Sequence, residues 1–470
     1  MFQHQSIITT TDSYKFSQFN QDPPGIENLF AYGEARKTNN EPGIPNYVVS
    51  CGMQIVIDRH LSTPITPQDI AHGRELAKMH GVPFAEEAWQ KVLKEHNGFV
   101  PIQIRAVEEG MVVPNGNVLW TVHAVDGGDK SFVRHVETCL LRTWYPSTVA
   151  AISHEIKKVL IHHMTESCDN LDMLPFKLHD FGARGCSSSE SAGIGGAAHL
   201  FNFYGTDTVE ALLAAAQHYH EPCAGFSIPA MEHSTVTAWG RHGESAAFSN
   251  MLDKYAKPGA VLACVSDSYD IYHATEFIWG TELRDKVIES DAIVVIRPDS
   301  GDPCLVLPRL LEILGEKFGY TINSKGYKVL NHVRLIWGDG IDGAMVVDGI
   351  CSVIRSVGWS VDNVSFGMGG GLLQKVNRDM LGFAYKVSAK LQHGAWSDVY
   401  KDPITDPGKK SKRGLLSLVR ENGEFKTVAG SFNPSWGDSS QSALNIVYDA
   451  GRPTGGRVVL SKARQNTGLW

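Results

Sequence analysis

This sequence of 470 residues lacks long apolar runs, and no stretch approaches the roughly 18 to 20 residues that a membrane-spanning helix needs. It also lacks a charged segment followed by an apolar one at its start, so we expect neither a signal peptide nor a membrane partner. An excess of positive charge is missing too. The formal net charge is −8, which argues against a bulk nucleic-acid binder.

The eight cysteines are scattered, with no CxxC pair and no close grouping with histidine. A zinc site is therefore not expected, and a reduced, cytoplasmic compartment fits this usage best. What the chain does have is length and apolar content. Hydrophobic residues make up 43% of it, which suits a soluble protein of two or three domains.

Residues 179–207 combine an aromatic ring, an arginine and carboxylates with a segment rich in small residues. We interpret this stretch as strand, loop, helix, strand, with Phe181 and Arg184 on the loop after the first strand and Asp207 after the second. Ligands of α/β proteins bind at such loops. The alternative is that Phe181 belongs to the core and Arg184 is a surface charge.

The first 150 residues mix short elements. Strand or helix patterns occur at residues 28–33 (strand), 67–80 (helix) and 102–121 (strands with a turn at 114–117). A long helix is predicted after Pro146. Two polar clusters, at residues 12–15 and 34–37, are typical of surface positions near a terminus.

The second half is more regular, because four apolar runs each end in polar residues. These runs are VLACV (261–265), AIVVI (292–296), VRLIWG (333–338) and NVSFG (363–367). Apolar strands that alternate with helices predict a parallel sheet covered by helices. Because the charged residues follow the carboxyl ends of so many strands, a (β/α) barrel explains the pattern better than an open doubly wound sheet, which is the alternative.

The residues after these strands suit a sugar-phosphate substrate. A run of three glycines at 369–371 places backbone N–H groups at a helix start, as a phosphate cradle or simply as a tight turn. It is neither a P-loop nor a dinucleotide fingerprint. The candidate phosphate clamps are Arg184, Arg297 and Arg378, and the candidate ligands for ribose hydroxyls or Mg²⁺ are Asp270, Asp299 and Asp339.

Longer motifs then point to one family. The runs TDSYK, KLHDFGARG, GTDTV, SIPAMEHSTVTAWG, VSDSYDIYHATEFIWG, IRPDSGDP, GDGID, FGMGGGLLQKVNRD, KDPITDP and KKSKRG occur in order from about residue 8 to about residue 418. The chain resembles the nicotinamide phosphoribosyltransferases in these runs, and the resemblance fades in the last fifty residues. The resemblance implies an enzyme that makes nicotinamide mononucleotide and pyrophosphate from nicotinamide and phosphoribosyl pyrophosphate.

The resemblance also implies a homodimer of an α/β-barrel domain (151–384) and an α+β domain built from both termini (1–150 and 385–470). The pyridine site would hold Phe181, Asp207 and Arg297, with the partner subunit's Tyr14. The phosphoribosyl groups would meet Arg184, Asp299, Gly338, Asp339, Gly369, Gly370 and Arg378 of one chain and the partner subunit's Arg36, the partner subunit's Lys401 and the partner subunit's Lys409. Further binding residues would be Asp12, Ser227, Ser266 and Lys386. One departure is Ala384, where the family has a serine near the phosphate.

In the same family ATP phosphorylates a histidine, which corresponds to His233. A histidine with a neighbouring carboxylate is a competent nucleophile, although an isolated histidine is more often structural. By resemblance, Glu232, Asp270 and Glu137 lie near this group, Asp299 takes part in catalysis, and Mg²⁺ accompanies the pyrophosphate.

Two other functions stay open at this point. A nicotinate phosphoribosyltransferase would share the barrel, and a non-catalytic interaction protein could keep the fold. The KKSKR run could also be a nucleic-acid patch or a solvated loop, but the net acidity of the chain disfavours the former.

Overall fold

The computed structural model describes residues 6–37, 42–405, 409–430, 442–452 and 454–470, so the last two residues of the KDPITDP motif lie outside it. The strands are β1 Ile26–Ala35, β2 Tyr47–Val49, β3 Ile102–Val107, β4 Val112–Pro114, β5 Val118–Ala124, β6 Leu178–Asp180, β7 Val261–Val265, β8 Ile293–Arg297, β9 Tyr320–Ile322, β10 Lys328–Leu330, β11 Val333–Trp337, β12 Val364–Met368, β13 Phe383–Gln392, β14 Ala395–Asp398, β15 Leu416–Glu421, β16 Glu424–Ala429 and β17 Leu444–Asp449.

The helices alternate with the strands mainly in the second half. They are α1 Met53–His60, α2 Pro67–His80, α3 Glu86–Glu95, α4 Ser131–His135, α5 Glu137–Leu141, α6 Trp144–Ser167, α7 Ser189–His199, α8 Val209–Tyr219, α9 His233–Thr237, α10 Glu244–Tyr255, α11 Ile271–His273, α12 Arg284–Ser290, α13 Pro303–Phe318, α14 Ala344–Ser356, α15 Gly370–Leu373, α16 Arg378–Leu381 and α17 Leu460–Asn466. None of the helices in the described residues is long and apolar enough to cross a membrane.

One sheet takes its strands from both ends of the chain. Its six strands lie in the order β14-β13-β1-β5-β3-β17, and neighbouring strands run antiparallel. β1 is buried along most of its length because β13 and β5 flank it and α4 packs against it. This arrangement confirms the prediction of an α+β unit built from both termini.

A second sheet is parallel and curls into a barrel-like shape. Five strands lie in the order β6-β12-β11-β8-β7. Isolated parallel bridges at Asp180–Thr206, Gly205–Phe226 and Ala230–Ala263 connect β6 back to β7. The bridges favour the predicted (β/α) barrel over the open sheet, whose two edges would stay apart. The strand predicted before Asp207 is only this two-residue bridge, because residues 201–204 form a turn rather than an extended run.

Two predicted helices form close to where their patterns place them. α2 has the predicted bounds, since Thr66 and Asp69 form a capping box and Pro67 occupies the first turn. α6 begins two residues before Pro146, which is tolerated there because first-turn N–H groups need no helical partner. The expected domain limits at residues 150 and 384 fall inside α6 and β13. The division of the chain at these two residues stays a prediction.

The C-terminal residues fasten the two parts of the molecule together. Arg464 donates a hydrogen bond from Nε to the Leu200 carbonyl at 2.8 Å, and the Trp470 indole donates to the Phe201 carbonyl at 2.8 Å. The Lys157 amine, on the fully buried α6 face, lies 3.5 Å from the centroid of the Trp470 ring. Asn466 in turn donates to Glu108, directly after β3, at 3.0 Å, so the last residues contact both the barrel side and the antiparallel sheet.

Candidate active site at the carboxyl end of the barrel

The loop after β6 places an aromatic ring at the barrel mouth. Phe181 donates its N–H to the Met368 carbonyl at 2.9 Å, which ties the loop to the end of β12. Its ring lies so close to the backbone that a Cβ added at Gly367 would be 2.0 Å from a ring carbon. Only glycine fits at Gly367, and the ring is held against the strand as a flat, partly open surface.

A buried carboxylate shapes that loop. Asp180 is fully buried, and its Oδ1 accepts the N–H of Gly182 at 2.7 Å. Burial raises the pKa of Asp180 to about 6, against the lowering effect of that hydrogen bond. The Asp180 carbonyl also accepts the N–H of Asp207 at 2.9 Å, so one residue sets the position of both Phe181 and Asp207.

Asp207 presents an exposed carboxylate beside the Phe181 loop. Its Oδ1 accepts the Ser227 hydroxyl at 2.5 Å, so the structure brings two of the sequence-predicted residues together. A carboxylate is acceptor-only, and it suits a ligand that donates N–H groups.

Arg297 and Asp299 form a partly buried ion pair next to the ring. Arg297 donates to Asp299 at 2.6 Å, and the two side chains are 19% and 18% exposed. The guanidinium carbon lies 5.6 Å from the centroid of the Phe181 ring. Low exposure and mutual bonding fix the orientation of both groups at the barrel mouth.

His233 opens helix α9 and has a different carboxylate partner from those expected. Its Nε2 lies 2.9 Å from Oδ1 of Asp267, whereas Glu232 accepts the Ser234 hydroxyl at 3.0 Å. Asp270 instead accepts the first backbone N–H groups of α11 at 3.0 Å. Neither Glu232 nor Asp270 hydrogen-bonds to the imidazole, because residues that are close in sequence need not direct their side chains toward each other.

Glu137 was also expected near the histidine, but within this chain it pairs with Lys15 on the antiparallel-sheet side. Asp267 was missed, although a signal existed. It follows the end of β7 by two residues, which is the same carboxyl-end position that singled out Asp299 after β8.

Ser266 lies inside the barrel wall and does not line the site. It is fully buried, its hydroxyl donates to the Cys264 carbonyl at 2.9 Å, and it accepts the Trp279 indole N–H at 3.0 Å. This placement does not support the predicted contact with substrate. The hydroxyl is already engaged inside the barrel wall.

The glycine-rich segment lies beside the loop that carries Arg184. A Cβ added at Gly185 would be 3.3 Å from the Gly370 Cα, so the two loops are adjacent. Gly369 directly precedes the short helix α15. At Gly371 close packing requires a glycine, since a Cβ there would lie 2.8 Å from the Ile341 carbonyl oxygen.

The other predicted phosphate-side residues lie on neighbouring loops. A Cβ at Gly338 would be 3.2 Å from Asp299 Oδ1 and 3.3 Å from the Phe181 ring, which places Gly338 between them. Asp339 is exposed, and so are Arg184 and Arg378, the latter donating to Asp379 at 3.0 Å. Exposed cations on adjacent loops suit a polyanionic ligand.

A second group of predicted residues lies in the part of the chain that carries the antiparallel sheet, with Tyr14 on the short 3₁₀ helix Ser13–Asn20. Tyr14 is 55% exposed, and Asp12 accepts the Thr138 hydroxyl at 2.8 Å. Burial, Glu137 and Asp12 raise the pKa of Tyr14. Within the described residues, no contact joins Tyr14 to Phe181 or Asp207, so one chain carries them as separate groups.

Arg36 and Lys401 of this group lie near Lys386. Burial lowers the pKa of Lys386, nearby Glu137 raises it, and Arg36 and Lys401 lower it further. Lys401 joins Ser411 through its backbone, and Lys409 is exposed. We call these four cationic residues, Arg36, Lys386, Lys401 and Lys409, the sheet cluster.

Part of the KKSKR run is occupied by acidic partners. Lys410 pairs with Asp402 at 2.7 Å, and Lys412 pairs with Glu34. Among the described residues, no three or more His, Cys, Asp and Glu side chains form a metal-holding group. Any Mg²⁺ here would therefore depend largely on oxygens from a ligand and from water.

Comparison with known proteins places the chain in a family. Residues 176–449 match the model of the nicotinate phosphoribosyltransferase (NAPRTase) family, and residues 6–104 match the nicotinamide phosphoribosyltransferase N-terminal domain. The chain belongs to the nicotinate phosphoribosyltransferase family. This confirms the family resemblance read from its motifs.

Individual relatives agree with the family match. A nicotinamide phosphoribosyltransferase of Xanthomonas campestris pv. campestris (strain 8004) is 48% identical over 450 residues, covering 95% of both chains. One from Mycoplasma pneumoniae (strain ATCC 29342 / M129 / Subtype 1) is 30% identical, covering 87% of this chain and 95% of its own.

Solved structures support the fold. The nicotinate-nucleotide pyrophosphorylase from Pyrococcus furiosus has a TM-score of 0.61 at 14% identity, covering 98% of this chain and 94% of its own. Human nicotinic acid phosphoribosyltransferase has a TM-score of 0.57 at 15% identity, covering 98% and 93%. At such identities the likeness concerns the fold alone.

Proposed function

We propose that this protein transfers the phosphoribosyl group of phosphoribosyl pyrophosphate to nicotinamide, giving nicotinamide mononucleotide and pyrophosphate. The observation that carries the proposal is the Phe181 ring, held flat against Gly367 with Arg297 5.6 Å away, beside the exposed carboxylate of Asp207. A flat pyridine stacks on the ring, and its carboxamide N–H donates to Asp207. The 48% identical relative is named for the same reaction.

The phosphoribosyl part extends from the ring toward the loops of Asp299, Asp339 and Gly370. As pyrophosphate leaves C1 of the ribose, the pyridine nitrogen attacks a carbon with oxocarbenium character, and little acid–base chemistry is needed. Arg184, Arg378 and backbone N–H groups stabilise the departing charge. Mg²⁺, when bound with the pyrophosphate, would supply further charge neutralisation, and Asp339 and Asp299 are the side chains that would hold it.

His233 accepts a phosphoryl group from ATP in this proposal. A carboxylate only accepts hydrogen bonds, so His233 donates from Nε2 to Asp267 and the neutral ring keeps its lone pair on Nδ1. Nδ1 attacks the terminal phosphorus of ATP, the N–P bond forms, the bridging P–O bond breaks, and ADP leaves. The pairing of the ring with a carboxylate resembles other histidine nucleophiles that a carboxylate orients.

One assay separates the candidate functions. The purified chain is incubated with phosphoribosyl pyrophosphate, Mg²⁺ and either nicotinamide or nicotinate, and pyrophosphate release is followed. We expect release with nicotinamide. A nicotinate phosphoribosyltransferase would respond mainly to nicotinate, and a non-catalytic protein would respond to neither.

The cysteines are free thiols, so we place the reaction in the cytoplasm.

Replacing Gly367 by Ala tests the ring site. The new methyl group would lie 2.0 Å from the Phe181 ring carbon, so the ring must move by more than an ångström. We expect kcat/KM for nicotinamide to fall about 10²-fold. Gly349→Ala, on helix α14 with no neighbour within 4 Å of the added Cβ, is the matched control. An unchanged kcat/KM in Gly367→Ala would contradict the placement of the pyridine on Phe181.

We further propose a homodimer in which the sheet cluster and Tyr14 of one subunit complete the barrel site of the other. The support is that Arg36, Lys386 and Lys401 lie near one another on one chain, while within the described residues no contact joins them to the Phe181 loop. Phosphate groups need cations around them, and a second copy supplies these at the barrel mouth.

Mixing two inactive variants tests the shared site. An Arg378→Ala chain loses a barrel residue, and an Arg36→Ala chain loses a sheet-cluster residue, so a mixed dimer keeps one intact site. Random mixing should restore about a quarter of wild-type sites. Activity is measured after co-refolding, with mixed dimers verified by two affinity tags. Mixed dimers without any recovered activity would contradict sharing between subunits.

A further inference from the structure

Two backbone segments lead to the hydrogen-bonded pair of Asp207 and Ser227. Residues 200–206 precede the aspartate, and residues 224–226 precede the serine. The two segments lie side by side where the barrel closes, but they are joined there by an isolated parallel bridge rather than by a ladder of paired strands. Their relative position therefore depends on the other contacts that hold them.

The two segments are packed too closely for either to move alone. Phe226 donates its N–H to the Tyr204 carbonyl at 2.7 Å. A Cβ added at Gly225 would lie 2.8 Å from the same carbonyl oxygen. Because packing this tight leaves no free space, a shift at the start of either segment is passed on to the carboxylate and the hydroxyl at their ends.

Arg464, on helix α17, joins the starts of both segments. Its Nε donates to the Leu200 carbonyl at 2.8 Å, and its Nη2 donates to the Ala224 carbonyl. Arg464 is 7% exposed, so both bonds are largely shielded from water. The guanidinium is planar and holds its donors in a fixed geometry, so these two bonds set the distance between the two carbonyls.

Aromatic rings fix the orientation of this guanidinium. The guanidinium carbon lies 4.5 Å from the centroid of the Tyr204 ring. The Trp470 ring lies 4.8 Å from the same ring, centroid to centroid, and its indole N–H donates to the Phe201 carbonyl at 2.8 Å. A cation held over an aromatic face in a buried place has little freedom to rotate.

We infer that Arg464 is a positioning residue for pyridine recognition: by fixing the spacing of residues 200–206 and 224–226, it sets where the Asp207 carboxylate and the Ser227 hydroxyl meet the carboxamide. This inference rests on the proposed function. Arg464 acts only through the two segments, since its guanidinium bonds to their carbonyls. Phosphoribosyl pyrophosphate, which other loops bind in the proposed function, is outside its reach.

Arg464→Lys tests this role. An ammonium keeps the positive charge, but it is a point donor on a flexible stem and does not hold two carbonyls at a fixed spacing. The measured quantities are kcat and KM for each substrate, from pyrophosphate release. We expect KM for nicotinamide to rise about fivefold, the effect of one weakened hydrogen bond. KM for phosphoribosyl pyrophosphate and kcat should stay within about twofold, since only pyridine binding is changed.

Arg334→Lys is the matched control. Arg334 also donates to two backbone carbonyls, those of Leu330 at 2.6 Å and Val333 at 2.8 Å. It lies at the amino end of β11, whereas the proposed site is at the carboxyl ends of the barrel strands. Both KM values should therefore stay at the wild-type level.

Trp470→Phe is a milder second variant. It removes the indole N–H that bonds to the Phe201 carbonyl and keeps an aromatic ring beside Tyr204. We expect KM for nicotinamide to rise about twofold to threefold, with KM for phosphoribosyl pyrophosphate unchanged. This variant decides the question if Arg464→Lys gives no folded protein, as judged by circular dichroism and thermal unfolding.

The outcomes are separable. A wild-type protein that releases no pyrophosphate with nicotinamide would overturn the proposed function, and the inference with it. An active wild type, with a folded Arg464→Lys protein that keeps the wild-type KM for nicotinamide, would overturn only the role of Arg464. A parallel rise in the KM values of both substrates, or an equal effect of Arg334→Lys, would do the same, because it would show a general loss of structure.

Discussion

Asp207→Asn is expected to collapse the preference for nicotinamide over nicotinate. A nicotinate carboxylate bound on Phe181 would bring a second negative charge to about 4 Å from Asp207, which costs about 1 kcal/mol in bulk water and about 4 kcal/mol at an effective dielectric constant of 20. Because about 1.4 kcal/mol is a factor of ten, this repulsion dominates the choice once the ligand displaces water from the exposed carboxylate.

The measurement is kcat/KM for both pyridines in the wild type and in Asp207→Asn. We expect the variant to lose nicotinamide activity and to admit some nicotinate, so that the ratio narrows by about tenfold or more. Ser227→Ala is the control, since it removes the 2.5 Å hydrogen bond to Asp207 and keeps the charge. Equal use of both pyridines by the wild type, or an unchanged ratio in Asp207→Asn, would show that Asp207 does not select the amide.

His233→Ala is expected to abolish ATP hydrolysis and the stimulation of synthesis by ATP. The change removes the ring that we propose as the phosphoryl acceptor and leaves Phe181 and Asp207 in place, so we expect ATP-independent transfer to persist. Phosphorylation is measured by ³¹P NMR and ADP release, and synthesis by pyrophosphate release with and without ATP.

Glu232→Gln is the control for the histidine variant. Glu232 adjoins His233 in sequence, yet its carboxylate accepts from Ser234 rather than from the imidazole. It should therefore keep the response to ATP. A His233→Ala protein that responds to ATP as the wild type does would remove His233 from the phosphoryl-transfer step.

The strands of the barrel were predictable because their signal is local. The strands β7, β8, β11 and β12 are continuous apolar runs, which is typical of strands buried on both faces. Such a run can be recognised from consecutive residues alone. Helix α2 was predictable for the same reason, since its capping box and first-turn proline occupy adjacent positions.

The partner of His233 was not predictable in this way. Glu232 and Asp270 are near it in sequence or in a shared motif, but the backbone directs their carboxylates to Ser234 and to the start of α11. Asp267 reaches the imidazole because the segment before α9 lies directly beside β7, with Ala230 bridged to Ala263, although the two bonded residues are 34 positions apart in sequence. Ser266, its neighbour, points its hydroxyl into the barrel wall instead.

By itself, the sequence determined the family, the alternation of strands and helices, and the set of loops that carry Phe181, Arg184, Asp207, Arg297 and Asp299. Only the tertiary structure decided which carboxylate holds which group and which glycine a ring requires. The reason is physical. Element type follows from periodicity along the chain, whereas a hydrogen bond or a ring contact depends on the packing of segments that the chain brings together only when it folds.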